Sequence, residues 1–324
     1  MRSSVRARLS VVLVGARNPF NIGAAARAMQ DFGFSDLRVV NDFAAPFEAA
    51  QLEAAQREAA QAELPAFADA SVPNPAAVAA QQVLRSARRY DTLLEAIADC
   101  TFTVGTTAIG ERRLRQPILR LQQAAPLILA ALNAASPGDA ADEGCAEPTG
   151  LEREPPAAEP RVALLFGSEK TGLTNDQLSH CDLLTTIPMF QPEGNRHLSM
   201  NLGQSVAVCL YELMRSGFES SVEVPQQQEA PATVKDRERL TQLLLQVLQA
   251  TGYARRFPAN SREPVVRQLV VQLAAASAQA ATSYRPGMTH LQAMTVMGIL
   301  RRVLRQTAGA PEEPEEESAA GSIE

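Results

Sequence analysis

The chain has 324 residues, of which 46% are hydrophobic, and it carries a formal net charge of −6. This length is enough to bury a sizeable core and predicts two domains. No run of about twenty apolar residues occurs, so no membrane-spanning helix is predicted. The basic N-terminus "MRSSVRARLS" is not followed by the apolar stretch and cleavage site of a secretory signal, so none is predicted.

The cysteine and histidine content is low. Four cysteines, at positions 100, 145, 181 and 209, are scattered without a C-x-x-C pair, and only three histidines are present. This usage predicts a reducing, cytoplasmic environment and argues against a structural zinc site. We therefore expect no metal.

The acidic charge is concentrated in two segments that we call the acidic insertion (138–160) and the acidic tail (309–324). The acidic insertion holds seven acids and one arginine, and the acidic tail holds six acids and no base. Both are rich in Pro, Gly and Ala and are predicted to be disordered. Without them the chain has 29 basic and 23 acidic residues.

The first predicted unit is a strand, a helix and a second strand. "SVVLVG" (10–15) is a short apolar run that ends at a glycine, and "LRVVN" (37–41) is a similar run, so both are predicted as buried strands. Between them, Asn18 or Asn21 is predicted to cap a helix that stops at Gly33.

The entry of this helix, "RNPFNIGAAARAM" (17–29), combines side-chain amides and small residues with one cation, Arg27. Arg27 looks buried among the alanines. Two interpretations stay open at this point. Arg27 is a solvated cation on an ordinary helix whose alanine face packs against a sheet, or it has a functional role.

The following elements alternate in type up to about residue 214. Helical regions are predicted at 47–98 (interrupted near 71–77), 116–132 and 198–214, and strands at 100–108, 161–167 and 183–189. This alternation predicts an open, mostly parallel α/β sheet. Three more helices are predicted at about 235–250, 262–281 and 288–306, which together form a small all-helical C-terminal extension.

Three loops at the predicted carboxyl ends of strands mix glycine with small hydroxyl residues. They are "VGTTA" (104–108), "FGSEKTGL" (166–173) and "IPM…RHLSMNLGQS" (187–205). Open α/β sheets bind ligands at this edge. No G-x-G-x-x-G, Walker loop or G-x-S-x-G element is present, so common nucleotide and hydrolase templates do not apply. Three ordinary tight turns are the alternative interpretation.

Three blocks carry a family resemblance. N-P-x-N-x-G-x-x-x-R (18–27), "FGSEKTGLTNDQL" (166–178) and "IPM…LSMNLGQSVAVCLYEL" (187–213) resemble, in this order, the signature blocks of SPOUT-class (TrmH-like) RNA ribose 2′-O-methyltransferases. The resemblance covers about 8–216. Within the class, the chain is most similar to the TrmJ type, which methylates a pyrimidine ribose in the tRNA anticodon loop.

The resemblance implies a fold, an assembly and a cofactor. It implies an α/β SPOUT fold with a deep C-terminal trefoil knot, which is a rare exception to the rule that chains are not knotted. It also implies a homodimer, S-adenosylmethionine (SAM) as cofactor, and a cytidine or uridine at tRNA position 32 as target. The implied cofactor contacts are Thr106, Thr107, Ala108, Gly167, Ile187, Leu198, Ser199 and Met200.

The resemblance also implies which residues serve catalysis. Arg27 would reach the ribose hydroxyl, and Ser199 would lie where the cofactor and substrate pockets meet. The remaining residues would hold the loops or offer amide contacts to RNA: Asn18, Asn21, Glu169 and Asn201.

The resemblance implies the bounds of the first domain, and composition predicts those of the segments after it. A methyltransferase domain (8–216) that contains the acidic insertion is followed by a linker (217–234), a basic helical extension (235–308) and the acidic tail. The basic extension has eleven basic and three acidic residues, a balance that suits a polyanion such as tRNA. Its predicted RNA contacts are Arg301, Arg302 and Arg305.

Two alternative functions stay open on the sequence. An enzyme of the same fold could methylate ribosomal RNA, with the basic extension binding that RNA. A catalytically silent protein could keep the fold only to bind RNA. The presence of Arg27, Glu169, Ser199 and Asn201 argues against the silent protein.

Overall fold

The structure is a computed structural model that describes residues 3–40, 48–52, 55–56, 75–108, 118–133, 159–190, 199–219, 231–275 and 288–307. The acidic tail, nearly all of the acidic insertion and most of the predicted linker lie outside the described residues.

Seven strands form one sheet in which every neighbouring pair is parallel. They are β1 (Leu9–Val14), β2 (Asp36–Val40), β3 (Arg88–Tyr90), β4 (Phe102–Thr106), β5 (Ile118–Arg120), β6 (Val162–Phe166) and β7 (Leu183–Thr186). Their order across the sheet is β3-β2-β1-β6-β4-β7-β5. Strands β1 and β6 are buried along their whole length, as expected for central strands covered on both faces.

The helices cover both faces of this sheet and continue beyond it. They are α1 (Ser3–Arg6), α2 (Pro19–Asp31), α3 (Pro75–Ser86), α4 (Leu93–Ile97), α5 (Leu121–Asn133), α6 (Asn175–Ser179), α7 (Leu202–Glu219), α8 (Val234–Ala250), α9 (Tyr253–Arg256), α10 (Glu263–Ala275) and α11 (His290–Thr307). Helices α2, α3, α5 and α7 share one apolar core, and α4 and α6 share a second core on the other face. None of the described helices is long and apolar enough to cross a membrane.

The predicted α/β sheet is confirmed, and two short edge strands were not predicted. The region 47–98, expected to be mostly helical, contains β3, and the expected helix at 116–132 begins only at Leu121, after β5. Both strands have three residues. A segment of three residues is too short to show the alternation of apolar and polar residues that indicates a strand. The polar sequence of β3, RRY, fits its largely exposed position at the edge of the sheet.

The C-terminal helices are attached to the amino-terminal edge of the sheet. At the start of α8, the backbone N–H of Val234 donates to the carbonyl of Cys100 (2.8 Å). The Arg237 guanidinium donates to the Asp182 carboxylate (3.0 Å), and both side chains are more than 90% buried. A third core, with Leu240 and Met297 among its members, joins α8, α10 and α11. The extension therefore has its own core and a polar, buried junction with the sheet.

Candidate active site

The carboxyl ends of β4, β6 and β7 open onto a cavity of about 410 Å³, which we call the strand-end cavity. The loops after these strands and the start of α7 line it. Seven of the eight predicted cofactor contacts are among the lining residues: Thr106, Thr107, Ala108, Gly167, Ile187, Ser199 and Met200. The eighth, Leu198, lies outside the described residues.

Short hydrogen bonds fix the walls of the strand-end cavity. The Thr106 hydroxyl donates to the carbonyl of Leu165 (2.8 Å), which ties the end of β4 to β6. The backbone N–H of Thr107 donates to the carbonyl of Thr185 (2.9 Å), which ties it to β7. The first of the three predicted loops, 104–108, is therefore held in place by the neighbouring strands.

The loop after β6 folds back on itself, and Gly167 permits this. A Cβ at Gly167 would overlap the backbone of Gly172 and Leu173, so no other residue fits without moving the loop. The backbone N–H of Gly172 donates to the carbonyl of Ser168 (2.8 Å). The segment between them, residues 169–171, is exposed and lines the strand-end cavity.

Glu169 joins this loop to the entry of α2. Its carboxylate accepts hydrogen bonds from the backbone N–H groups of Arg17 (3.2 Å) and Asn18 (3.1 Å) and from the Asn21 amide (3.0 Å). Partial burial acts to raise the pKa of Glu169, but these hydrogen bonds outweigh it, and the pKa lies below its ordinary value. Glu169 is therefore an ionised anchor.

Asn21 extends the connection to the start of α7. The Asn201 amide donates to the Asn21 side-chain oxygen (2.7 Å), and the Asn201 oxygen accepts from the backbone N–H of Gly203 (3.0 Å). This cap explains why α7 begins at residue 202 and not at 198 as predicted. Asn18 caps α2 in the same way, by accepting from the backbone N–H of Phe20 (3.0 Å).

A second cavity of about 730 Å³, which we call the amide cavity, adjoins the first. The two share the wall formed by residues 168–171. The other residues that line the amide cavity come from the entry of α2: Arg17, Asn18, Pro19 and Asn21. Three of the predicted catalytic residues, Asn18, Asn21 and Glu169, therefore lie together, while Ser199 lies on the wall of the strand-end cavity.

Arg27 lies apart from both cavities. The expectation that it is buried is wrong, because its side chain is 47% exposed and pairs with Asp31 (3.2 Å) on the same helix. Arg27 follows Asn21 by about one and two-thirds helical turns, which places the two on different sides of α2. Arg27 is not one of the described residues that line either cavity.

The predicted RNA contacts on α11 also lie away from these cavities. Arg301, Arg302 and Arg305 are exposed on the surface of the C-terminal extension. Arg237 and Arg267 are counted among the basic residues of the extension that are predicted to bind RNA. Their side chains are only 8% exposed and pair with acids. Part of the basic charge of the extension is therefore used inside the protein.

The sequence prediction omitted two cations that line the amide cavity, Arg17 and Lys170. Arg17 directly precedes Asn18 and the first signature block, and Lys170 follows Glu169 within the second block. These positions beside predicted site residues were the sequence signal that could have identified them. Among the described residues, no group of three or more His, Cys, Asp or Glu side chains could hold a metal ion.

Comparison with known proteins places this geometry in a family. Residues 65–211 match the sequence pattern of the SpoU rRNA Methylase family. The chain is 30% identical over 250 residues to the tRNA (cytidine/uridine-2′-O-)-methyltransferase TrmJ of Sodalis glossinidius, covering 76% of this chain and 77% of that protein. It is 28% identical over 207 residues to the tRNA (cytidine-2′-O-)-methyltransferase TrmJ of Methanocaldococcus jannaschii, covering 63% and 66%. The crystal structure of TrmJ from Z. mobilis ZM4 superposes with a TM-score of 0.57 at 26% identity, covering 91% of this chain and 98% of that chain.

Proposed function

This chain belongs to the SpoU rRNA methylase family, and from its likeness to the TrmJ enzymes we infer that it transfers a methyl group to the ribose 2′-hydroxyl of a cytidine or uridine in tRNA. The observation that carries this inference is the pair of adjoining cavities joined by Glu169. One cavity has the size and lining of a cofactor site, and the other presents amides and cations to a substrate.

The strand-end cavity fits SAM. Its volume of about 410 Å³ lies within the range of about 300 to 1,000 Å³ that is usual for small-molecule sites. Threonine and serine hydroxyls, backbone groups and the side chains of Ile187 and Met200 line it, which suits the polar ribose and apolar base of an adenosine. Thr106, Thr107, Ala108, Gly167, Ile187, Leu198, Ser199 and Met200 would hold it. When bound, SAM supplies a methyl group activated by its sulfonium.

We propose that the chain functions as a homodimer with a trefoil knot around the cofactor. The exposed position of Arg27, outside the cavities of its own subunit, supports a role at the partner's site. If so, an inactive Arg27→Ala protein mixed with an inactive Gly167→Trp protein regains partial activity through heterodimers. No recovery after verified subunit exchange would contradict the shared site.

The reaction requires that the 2′-hydroxyl, a weak acid, lose its proton around the time of methyl transfer. A guanidinium has a pKa above about 12 and cannot act as the base. In this proposal Arg27 orients a neighbouring RNA phosphate and stabilises negative charge that develops on the ribose oxygen. The phosphate or a water takes the proton. The network of Glu169, Asn21 and Asn201 keeps the two cavities aligned, and alignment supplies much of the rate acceleration.

We place the target at position 32 of the anticodon loop on the TrmJ resemblance, and we assign tRNA binding outside the site to Arg301, Arg302 and Arg305. Their exposure on α11 supports that assignment. Activity on tRNA fits a cytoplasmic protein. Because the matching family is described as rRNA methylases, ribosomal RNA is the second candidate substrate.

The test is methyl transfer from labelled SAM by the purified protein. Equal amounts of unmodified tRNA and ribosomal RNA fragments are offered separately, and the methylated position is mapped by its resistance to alkaline cleavage. We expect a single 2′-O-methylpyrimidine in the tRNA anticodon loop. Labelling of ribosomal RNA alone would favour the second candidate.

A further inference from the structure

An exposed phenylalanine lies between two residues that line the amide cavity. Phe20 is 61% exposed and lies in the first turn of α2, between the lining residues Pro19 and Asn21. Its backbone is fixed, because its N–H donates to the Asn18 cap. Single exposed hydrophobic residues are common and carry no meaning alone. The surroundings of Phe20 are therefore what matters.

The charges around Phe20 suit a nucleic acid. Arg17 and Lys170 line the amide cavity, and both are exposed. The acid between them, Glu169, is occupied by three N–H groups and is held in place, so it does not compete freely for a ligand. A cationic surface with an exposed aromatic ring is the combination by which proteins bind single-stranded nucleic acids, the cations at phosphates and the ring on a base.

We propose that Phe20 is a stacking platform for a nucleobase of the RNA substrate beside the methylated ribose. This proposal rests on the function proposed above. Every nucleobase has a π face, so this contact would hold a base in place without selecting its identity. Arg17 and Lys170 would bind the phosphates on either side of that nucleotide. The site thus takes an unpaired nucleotide, as an RNA loop provides.

Fluorescence offers a direct test, because the chain contains no tryptophan. The full-length Phe20→Trp protein carries a single indole, which is quenched when a base stacks on it. Titration with tRNA should quench the emission in a saturable way. The matched control is Leu52→Trp, since Leu52 is also 61% exposed but is not adjacent in sequence to any residue that lines the amide cavity, and its emission should not change. Unquenched emission of the Phe20→Trp protein at saturating tRNA would overturn the proposal.

A second outcome would identify a different occupant. If Phe20 is covered by another copy of this chain, the Phe20→Trp emission is already shifted to shorter wavelength without RNA and changes with protein concentration. That result would also overturn the stacking proposal and assign Phe20 to a subunit interface.

Kinetics separate stacking from simple apolar contact. Phe20→Leu keeps an apolar side chain but lacks a π face, and we expect it to raise KM for tRNA about fivefold or more, with SAM affinity unchanged. Phe20→Tyr should restore the wild-type KM. If wild type methylates tRNA and Phe20→Leu has the same KM, stacking is wrong and the proposed function stands. If wild type methylates no tRNA, the proposed function is wrong.

Discussion

At the scale of single residues, Glu169 connects parts of the chain that are distant in sequence. Its partners Arg17, Asn18 and Asn21 lie about 150 positions before it. Because its oxygens are occupied and its pKa is below the ordinary value, we propose that Glu169 supports catalysis by holding two loops and not by accepting a proton.

Replacing Glu169 by Gln should therefore reduce stability in a pH-dependent way. The folded-state pKa of Glu169 is lowered from 4.5, so its stabilising effect is present above about pH 4.5 and is lost as the pH falls below that value. The difference in urea midpoint between wild type and Glu169→Gln should be largest at pH 7 and shrink toward pH 4. The control Glu48→Gln removes an exposed pair with Arg89 and should change little at either pH. A pH-independent difference would contradict the role of the charge.

Arg27 is the residue for which we predict the largest effect on rate. Arg27→Ala should leave the Kd for SAM nearly unchanged and lower the single-turnover rate at saturating tRNA about a hundredfold. Arg27→Lys should restore little, since an ammonium lacks the planar fork of guanidinium. Arg89→Ala removes another exposed, paired arginine and serves as control. Full activity of Arg27→Lys would show that charge alone suffices.

At the scale of secondary structure elements, the junction between the C-terminal extension and the sheet depends on buried ion pairs. Arg267 of α10 pairs with Glu238 of α8 (2.8 Å) and also bonds to Asp176 and Ser179 at α6. Burial and the positive charge of Arg267 lower the pKa of the neighbouring His180 to about 4. His180 is therefore neutral at physiological pH, and Arg267 is a cation shared by several acidic side chains.

We predict that Arg267→Ala in the full-length chain destabilises the protein by about 3 to 5 kcal/mol, because Glu238 is left buried without its partner. Equilibrium unfolding in urea measures this. Arg301→Ala removes an exposed arginine of the same extension and should have an effect within about 0.5 kcal/mol. Equal effects of the two substitutions would mean that the Arg267 pair does not stabilise the junction.

The sequence allowed the central elements and the site loops to be predicted, and the reasons for the misses are physical. Apolar runs such as "SVVLVG" and glycine at strand ends are local signals, so β1 and the loop after β6 could be recognised. The burial of Arg237 and Arg267 depends on acids from distant parts of the chain, such as Asp182 and Glu238, and no local pattern reports it. The exposure of Arg27 depends on which side of α2 meets the sheet, which its small neighbours do not specify.

At the scale of the whole molecule, charge is divided between the surface and the interior. The basic extension has a surplus of basic residues, but Arg237 and Arg267 are used in buried pairs, so exposed residues such as Arg301 carry the charge that we propose for RNA binding. The two cavities of the candidate active site and the exposed face of α11 are formed by different parts of the chain. Cofactor binding and RNA binding should therefore be separable.

The triple change of Arg301, Arg302 and Arg305 to Glu should weaken tRNA binding and leave the Kd for SAM unchanged. A protein that binds fewer phosphates releases fewer counterions, so the slope of log K against log salt concentration should become shallower by about 0.9 for each phosphate that is no longer bound. Filter binding at several salt concentrations measures the slope. An unchanged slope would mean that α11 is an ordinary solvated surface.

The most direct test of the account is a map of ribose methylation in cellular tRNA. Total tRNA from a strain that lacks this protein is compared by mass spectrometry with tRNA from the same strain carrying wild type or Arg27→Ala. The account predicts that one 2′-O-methylpyrimidine in the anticodon loop is absent from the deletion strain, returns with wild type and does not return with Arg27→Ala. An unchanged set of tRNA 2′-O-methylations in the deletion strain would contradict it.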